Sequence, residues 1–413
     1  MKIKPIVKVV QRTLVAASLC LPLVAIESHA LDNNEPRVTQ IPTDKTWGER
    51  MALTVMQQSP EAWKMMHYKL LSSPKWDYTY GLVLMSFQHI YQKTGDETYL
   101  EYGKEYVDTL VDAEGNIKNV KGDKFSLDML NGGKLLFTLY EKYRDERYLK
   151  ALKKLRSQIE WQPRTKSGGF WHKKIYPYQM WLDGLYMGST FWAIYAKHFS
   201  EPQASYDDIA HQFKLVEEKT YLPETGLLAH AWDESGIQKW ADDSGKSPHV
   251  WSRALGWYAM ALVDTLEVFP ENHKDRAELV AMLERLCQAL VKYQHESGLW
   301  YQVTDKAERF GNYLETSGTA MFSYAMAKGV RLGYLPKKYD KVAQKAYDGI
   351  INGYVQIDDL NHELHLTHTV GGTGLGNSPY RSGSFEYYVQ EAVRTNDPHG
   401  VGAFILASVE LGR

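Results

Sequence analysis

Two kinds of apolar pattern alternate along the chain beyond its first seventy-five residues. In Tyr148 to Ile159 the residues Leu149, Leu152, Leu155 and Ile159 form one stripe, with Lys150, Lys153, Lys154 and Arg156 opposite. That spacing predicts an amphipathic surface helix. Tyr99-Leu100, Tyr206 and Tyr339 open similar stretches. Between them lie segments that are apolar most of the way round, which predicts buried helices at Tyr80 to Tyr91, Leu127 to Tyr143, Asp183 to Lys197, Trp251 to Glu267, Leu314 to Arg331 and Phe385 to Arg394. Gly-containing turns recur at Glu114-Gly115-Asn116, Ser167-Gly168-Gly169, Glu224-Thr225-Gly226 and Ser297-Gly298-Leu299, with a weaker version at Asp358-Asp359-Leu360. Their spacing of about 54 to 72 residues is that of a helical-hairpin repeat. Five or six hairpins, each with a buried and a surface helix, can stack openly or close into a ring. Closure is expected because the buried helices are apolar all round and no extended polar concave face is visible. The predicted fold is therefore all-α, an (α/α)6 barrel spanning residues 31–413, with an open helical repeat as the alternative.

The first thirty residues stand apart. Lys2, Lys4, Lys8 and Arg12 precede an uncharged apolar stretch from Leu14 to Ile26, and Ser28-His29-Ala30 offers small residues at a cleavage position. This reads as a signal peptide over residues 1–30, so the protein is expected to be exported, either to a periplasm or to the medium. No later segment is long and apolar enough to span a membrane, so none should insert once the signal is removed. Lipidation at Cys20 is disfavoured because Leu19 precedes it. Cleavage leaves Cys287 as the single thiol, within a helical pattern that suits a small buried hydrophobe. The core must then supply the stability that disulfides do not.

Charge is nearly balanced, 48 Lys and Arg against 50 Asp and Glu, which leaves no basic footprint for nucleic acid. The 28 Tyr and 12 Trp are more than a core of this size needs. A stacking surface is the expected use, with carbohydrate as the ligand.

Chemistry concentrates at the predicted starts of buried helices. Asp183 lies in Gln179-Met180-Trp181-Leu182-Asp183-Gly184-Leu185-Tyr186 and could be a helix cap or a catalyst. Desolvation by Trp181, Leu182 and Tyr186 would raise its pKa and keep a proton available for donation. Asp128 starts another buried helix and could likewise be a cap, yet a closed ring would aim both carboxylates at one mouth. His172 after Phe170-Trp171, and His230 between Ala229 and Ala231-Trp232, occupy equivalent turns and should face the same space. Arg253 and Trp257, four apart on one helix face, are either a surface cation-π pair or a guanidinium and an indole for a sugar carboxylate and ring. Gln179 and Trp181 precede Asp183 in the same segment, and Trp76 and Tyr78 open the first buried helix; all four are taken as substrate-binding. No metal motif is present: His365 and His368 have ligand-like spacing but no thiol or carboxylate cluster beside them. Gly371-Gly372-Thr373-Gly374-Leu375-Gly376 lacks the strand and helix of a dinucleotide fingerprint and reads as a flexible lip near Tyr380-Arg381.

Taken together the segments resemble the unsaturated rhamnogalacturonyl hydrolases, glycoside hydrolase family 105. The resemblance runs from about Trp47 to the C-terminus through Gly169-Phe170-Trp171-His172, the Asp183 segment, Trp251-Ser252-Arg253, Gly256-Trp257-Tyr258-Ala259-Met260, Gly298-Leu299-Trp300-Tyr301-Gln302-Val303, Tyr313-Leu314-Glu315-Thr316-Ser317 and Asn396-Asp397-Pro398-His399-Gly400-Val401-Gly402. It departs at Ser189-Thr190 and at Leu255, positions that bear on pocket shape. The resemblance implies an (α/α)6 barrel acting on an oligosaccharide that ends in a 4,5-unsaturated uronic acid, without metal or organic cofactor. It implies hydration of the vinyl ether double bond, with Asp183 as proton donor, Asp128 as second carboxylate, His172 and His230 on the substrate, and Arg253 and Trp257 holding the uronate. Rhamnose from pectin is the first choice for the neighbouring sugar, with ulvan-type rhamnose sulfate or a glucuronyl linkage as alternatives. A monomer or weak homodimer is expected. The rival functions are another (α/α)6 sugar enzyme such as an epimerase, and a glycan-binding toroid without catalysis.

Overall fold

A computed structural model describes residues 40–65 and 71–413; the signal-like leader falls outside the described residues. Among those residues six helices form an inner ring. The first is Tyr78–Thr94, and the second is built from Asp128–Asn131, Gly132–Lys134 and Leu135–Tyr143. The third runs through Leu182–Gly184, Leu185–Ser189 and Thr190–His198, followed by Ser252–Val268, Thr316–Arg331 and Pro398–Leu411. Trp47–Gln58, Glu97–Leu110, Glu146–Trp161, Gln203–Thr220, Arg276–Val291 and Lys338–Tyr354 form the outer ring. The last inner helix packs on the first inner helix and on the outer helix Trp47–Gln58. There the Gly48 N–H donates to Ser408 Oγ at 2.8 Å. The ring is closed, and the fold is an (α/α)6 barrel.

Local sequence explains most element boundaries. Asp77, Asp96, Asp145 and Asp397 each accept the backbone N–H two residues on, and Glu315 accepts those of Ser317 and Gly318, so an acidic cap starts helices in both rings. The two rings differ in burial as their patterns predict. Glu146–Trp161 buries one stripe including Leu152, Leu155 and Ile159, whereas Ser252 to Leu266 is buried without interruption. The inner helices approach closely at Gly81 and Gly132: a Cβ on Gly81 would lie 2.8 Å from the Gly132 Cα, and one on Gly132 would lie 2.6 Å from the Trp76 ring.

The sixth inner helix is not Phe385 to Arg394. That region contains only the short helix Phe385–Gln390, after which Glu391 turns to extended backbone and Val393–Arg394 pairs with Thr369–Val370. The inner helix begins instead at Pro398, in the first turn where a missing N–H costs nothing, behind the Asp397 cap. Helix direction then positions the chemistry. Inner-to-outer connections are short, while the outer-to-inner ones (111–127, 162–181, 221–251, 292–315 and 355–397) are long. All the long loops therefore gather at the end of the barrel where inner helices begin.

Candidate active site

Six helix N-termini converging on one mouth place the positive ends of six helix dipoles there, a field that stabilises carboxylates and attracts an anionic ligand. Tyr78, Asp128, Asp183, Arg253, Ser317 and His399 stand in the first turns of those helices.

Asp128 is the first residue of its helix, and Leu127 ahead of it makes no side-chain cap. Its carboxylate is instead gripped from the 162–181 loop. His172 Nε2 lies 3.1 Å from Oδ1 and the Lys173 ammonium pairs with Oδ2. Burial pushes the Asp128 pKa up, but the charges and hydrogen bonds of Lys173 and His172 outweigh it and hold the carboxyl well below its ordinary value. Asp128 is a fixed carboxylate. Lys173, which this arrangement requires, escaped the sequence reading although it directly follows His172.

Asp183 is held differently. It follows strand Gln179–Trp181, which pairs antiparallel with Ala231–Asp233 and so brings the Asp183 and His230 segments side by side. His230 Nε2 comes 3.3 Å from Asp183 Oδ2, close enough for electrostatic attraction, but the alignment is poor and neither buried atom has a proper hydrogen-bond partner. Unsatisfied polar atoms at such a position are what a site awaiting substrate would leave. His230 is fixed from behind by Tyr388, whose hydroxyl lies 2.8 Å from Nδ1. Directly after Asp183, residues Leu185–Ser189 form a π-helical stretch, a distortion that often marks functional positions.

The expected raised pKa of Asp183 is not found. Burial does push it up, but contact with His230 and the positive potential of His230 and His172 prevail, and the carboxyl lies below its ordinary value. Hydrophobic neighbours were visible in the sequence; the histidine from the paired strand was the deciding partner. Nor is Asp183 a helix cap, since Trp181 holds the cap position without a side-chain bond.

The aromatic wall beside the carboxylates is built from several loops. Trp181 stacks on His172, with ring centroids 4.7 Å apart and planes 7° apart, and on Tyr176 at 4.6 Å. Gln179 is buried and accepts the Trp181 indole N–H at 3.1 Å, so it orients that ring. Leu375 and Trp240 complete the cluster, and Arg381 donates to the Tyr176 hydroxyl at 2.8 Å. The Gly-rich lip is thus packed into the site. His365 and His368 take no part in it: His365 lies beside Asn396 and the His368 ring packs against Tyr354.

Trp257 lies between Tyr186, at 4.9 Å, and Tyr78, at 6.5 Å, on the fourth inner helix. Arg253 is only 1 % exposed, and its guanidinium donates to the Val370 carbonyl at 2.6 Å, the Gly371 carbonyl and the Ser317 hydroxyl. It lies 4.7 Å above the Trp251 ring, so its cation-π partner is Trp251 and not Trp257. Its fork is committed to carbonyls of the Gly-rich loop, and its charge reaches Tyr78, Asp397 and His399 from behind. Trp76 is removed from the site altogether. Fully buried on Gly132, it stacks with Tyr106 and donates to the Met129 carbonyl at 2.9 Å. Two residues on, Tyr78 does reach the site, where its phenol feels the charges of Asp128, Arg253 and Asp183.

A cavity of about 490 Å³ opens at the opposite end, lined by Lys134, Asp264, Lys328, Arg331 and Glu410 among others. Its carboxylates are consumed: Asp264 and Glu267 pair with Lys328, and Glu410 with Arg331. Its cations face the negative ends of the helices, which makes them structural complements. One surface group, Asp207, His273 and Asp275, has the compactness of a metal site. However, His273 Nδ1 accepts the Asp275 N–H, which leaves the proton on Nε2, while Lys274 and Lys214 neutralise the two carboxylates. That group does not suit a cation.

The profile of Glycosyl Hydrolase Family 88 matches residues 47–413. The chain is 37% identical over 231 residues to protein Atu3128 of Agrobacterium fabrum, a match covering 54% of this chain and 97% of that one. It is 26% identical over 283 residues to the unsaturated rhamnogalacturonyl hydrolase YesR of Bacillus subtilis, covering 67% of this chain and 76% of YesR. A family 105 glycoside hydrolase structure from C. acetobutylicum superposes with a TM-score of 0.84 at 43% identity, covering 89% of this chain and 99% of that one. The carboxylate pair at the N-terminal mouth of an (α/α)6 barrel and these likenesses agree: the chain belongs to glycosyl hydrolase family 88, close to its family 105 relatives, and is a glycoside hydrolase of the unsaturated uronyl hydrolase group.

Proposed function

We propose that the enzyme releases the 4,5-unsaturated uronic acid from the non-reducing end of lyase-generated oligosaccharides, with unsaturated rhamnogalacturonan disaccharide as first substrate. The observation that carries this reading is the pairing of a fixed carboxylate, Asp128, with a second carboxyl, Asp183, that has an unsatisfied oxygen, at a mouth ringed by helix N-termini. The likeness to YesR, an unsaturated rhamnogalacturonyl hydrolase, supports rhamnogalacturonan. An unsaturated glucuronyl substrate from ulvan or a glycosaminoglycan is the second reading. The leader at residues 1–30 supports export to a periplasm or the medium.

In the proposed reaction Asp183 protonates C4 of the vinyl ether and water adds to C5. The resulting hemiketal opens and expels the remaining sugar. The depressed pKa of Asp183 is reconciled with proton donation by the substrate itself. A bound uronate places a like charge nearby and excludes water, and both effects raise a carboxyl pKa. Trp181, Tyr176 and His172 supply the stacking wall, and Arg253 fixes the Gly-rich loop over it. The test is the ultraviolet absorbance of unsaturated disaccharides from rhamnogalacturonan, ulvan and glycosaminoglycan. Fastest loss of the conjugated band with the first supports the reading; preference for another assigns the enzyme to that substrate.

A further inference from the structure

His399 and Asp397 belong to the Asn396-Asp397-Pro398-His399 segment, in which Asp397 also caps the sixth inner helix. Asp397 Oδ1 lies 2.6 Å from His399 Nδ1, and His399 Nε2 lies 2.8 Å from the Tyr78 hydroxyl. All three residues stand at the starts of the sixth and first inner helices, which pack together. Asp397 and His399 are buried, Arg394 contacts Asp397 at 3.3 Å, and the Trp257 ring closes one side of His399 at 6.3 Å. Burial pushes Asp397 up, but the hydrogen bond from His399 and the nearby Arg253 charge prevail and leave it depressed to about 2, so it is ionised at neutral pH.

A carboxylate can only accept, so Nδ1 of His399 carries a proton. Burial and the neighbouring Arg253 charge disfavour a second proton on the ring, so Nε2 holds a lone pair. The Tyr78 hydroxyl must then donate to Nε2, and its remaining lone pairs can only accept; the phenol lies near enough to Asp128 and Asp183 to feel their charges. A pocket group that hydrogen-bonds the Tyr78 oxygen must therefore be a donor, and the adding water of the proposed reaction has protons to give.

We propose that Asp397, His399 and Tyr78 form a relay that receives the proton of the water adding to the substrate. The inference rests on the hydration reading above. Asp183 gives its proton to C4 and the water oxygen bonds to C5. The water proton passes to the Tyr78 oxygen as the Tyr78 proton passes to His399 Nε2, forming an imidazolium beside the Asp397 carboxylate. Return of that proton through Tyr78 to Asp183 restores the starting state, and the net reaction consumes one water. Tyr78 touches the reacting water; His399 and Asp397 position it and hold its proton.

The first test needs no substrate. Nitrogen-15 NMR of the wild-type histidines should find His399 as the Nδ1–H tautomer, assigned by loss of its signals in His399→Gln; an Nε2–H tautomer overturns the relay. In kinetics, Tyr78→Phe and His399→Gln should each lower kcat by about 10²- to 10³-fold, in the range of general base catalysis, with KM changed less than about threefold. His399→Gln retaining full kcat, or losing only KM, also overturns it. Should that variant fail to fold by circular dichroism, the wild-type tautomer and Tyr78→Phe decide the matter. If wild-type enzyme leaves every unsaturated disaccharide intact, the reaction assignment falls and the relay's catalytic role with it. The tautomer separately reports whether the hydrogen-bond chain exists.

Discussion

Asp128 and Asp183 start neighbouring inner helices, yet their partners give them different chemistry. An ammonium and an imidazole on Asp128 make it a permanent charge, while Asp183 has one poorly aligned imidazole and an oxygen left open. Asp183→Asn, nearly isosteric but unable to donate the acid proton, should lower kcat by at least about 10²-fold with an unchanged circular dichroism spectrum. The pH dependence follows from direction. In the free enzyme the Asp183 pKa is lowered, so kcat/KM should fall as pH rises through that lowered value and the acid form is lost. With substrate bound the uronate charge raises it, so the alkaline limb of kcat should lie at higher pH than that of kcat/KM; coincident limbs would contradict the assignment. Asp397 carries a stability prediction. Its folded pKa of about 2 lies below the unfolded value, so its contribution of about 2 kcal/mol is complete above pH ~4 and is lost as pH falls toward 2. Asp397→Asn keeps a capable cap but should flatten that part of the urea-midpoint profile.

Among elements, the second inner helix depends on close approach to its neighbours. Gly132→Ala would drive a methyl into the Trp76 ring and should cost about 1 to 3 kcal/mol, read as a lower thermal midpoint. The same contact explains an error of sequence reading: Trp76 was legible as an aromatic at the start of a buried helix, but not as one turned onto a glycine 56 residues away in the chain. The outer helices opened by Tyr99, Tyr148, Tyr206 and Tyr339 were legible because their apolar stripe has the helical period, and the inner ring because it lacks one; the outer helix Trp47–Gln58 was not read. Only the sixth inner helix was misplaced. Phe385 to Arg394 has the right composition, whereas Pro398, His399, Gly400 and Gly402 look like loop until Asp397 is seen as a cap. Asp128, Asp183 and Tyr78 were singled out from their place at the start of a buried helix, and His172 and His230 from equivalent turns beside Trp; the fold brings each histidine against one of the two carboxylates. Lys173, Tyr388 and His399 were not singled out, since each acts through a contact between loops or helices distant in sequence, as does the His230 effect on Asp183.

Over the whole molecule the two ends of the barrel divide the work. Carboxylates and substrate belong at the helix N-termini, and the lysine-rich cavity at the other end complements the C-termini. Burial there pushes Lys134 down to about 7. Between pH 7 and its unfolded value near 10.5 the unfolded chain binds the extra proton, so stability should rise with pH across that window and the penalty is fully present below it. Lys134→Met should abolish that rise, seen in urea midpoints at pH 7 and 9.5, and leave kcat/KM within about twofold of wild type. Loss of activity in that variant would tie the far cavity to the reaction.

The central claim is that the N-terminal mouth hydrates an unsaturated uronate by means of Asp183. Its most direct test is the ultraviolet band of unsaturated rhamnogalacturonan disaccharide, followed with wild-type enzyme and Asp183→Asn side by side. The band should disappear with wild type and persist with the variant. Persistence with folded wild type, or disappearance at equal rates with both, would contradict the account.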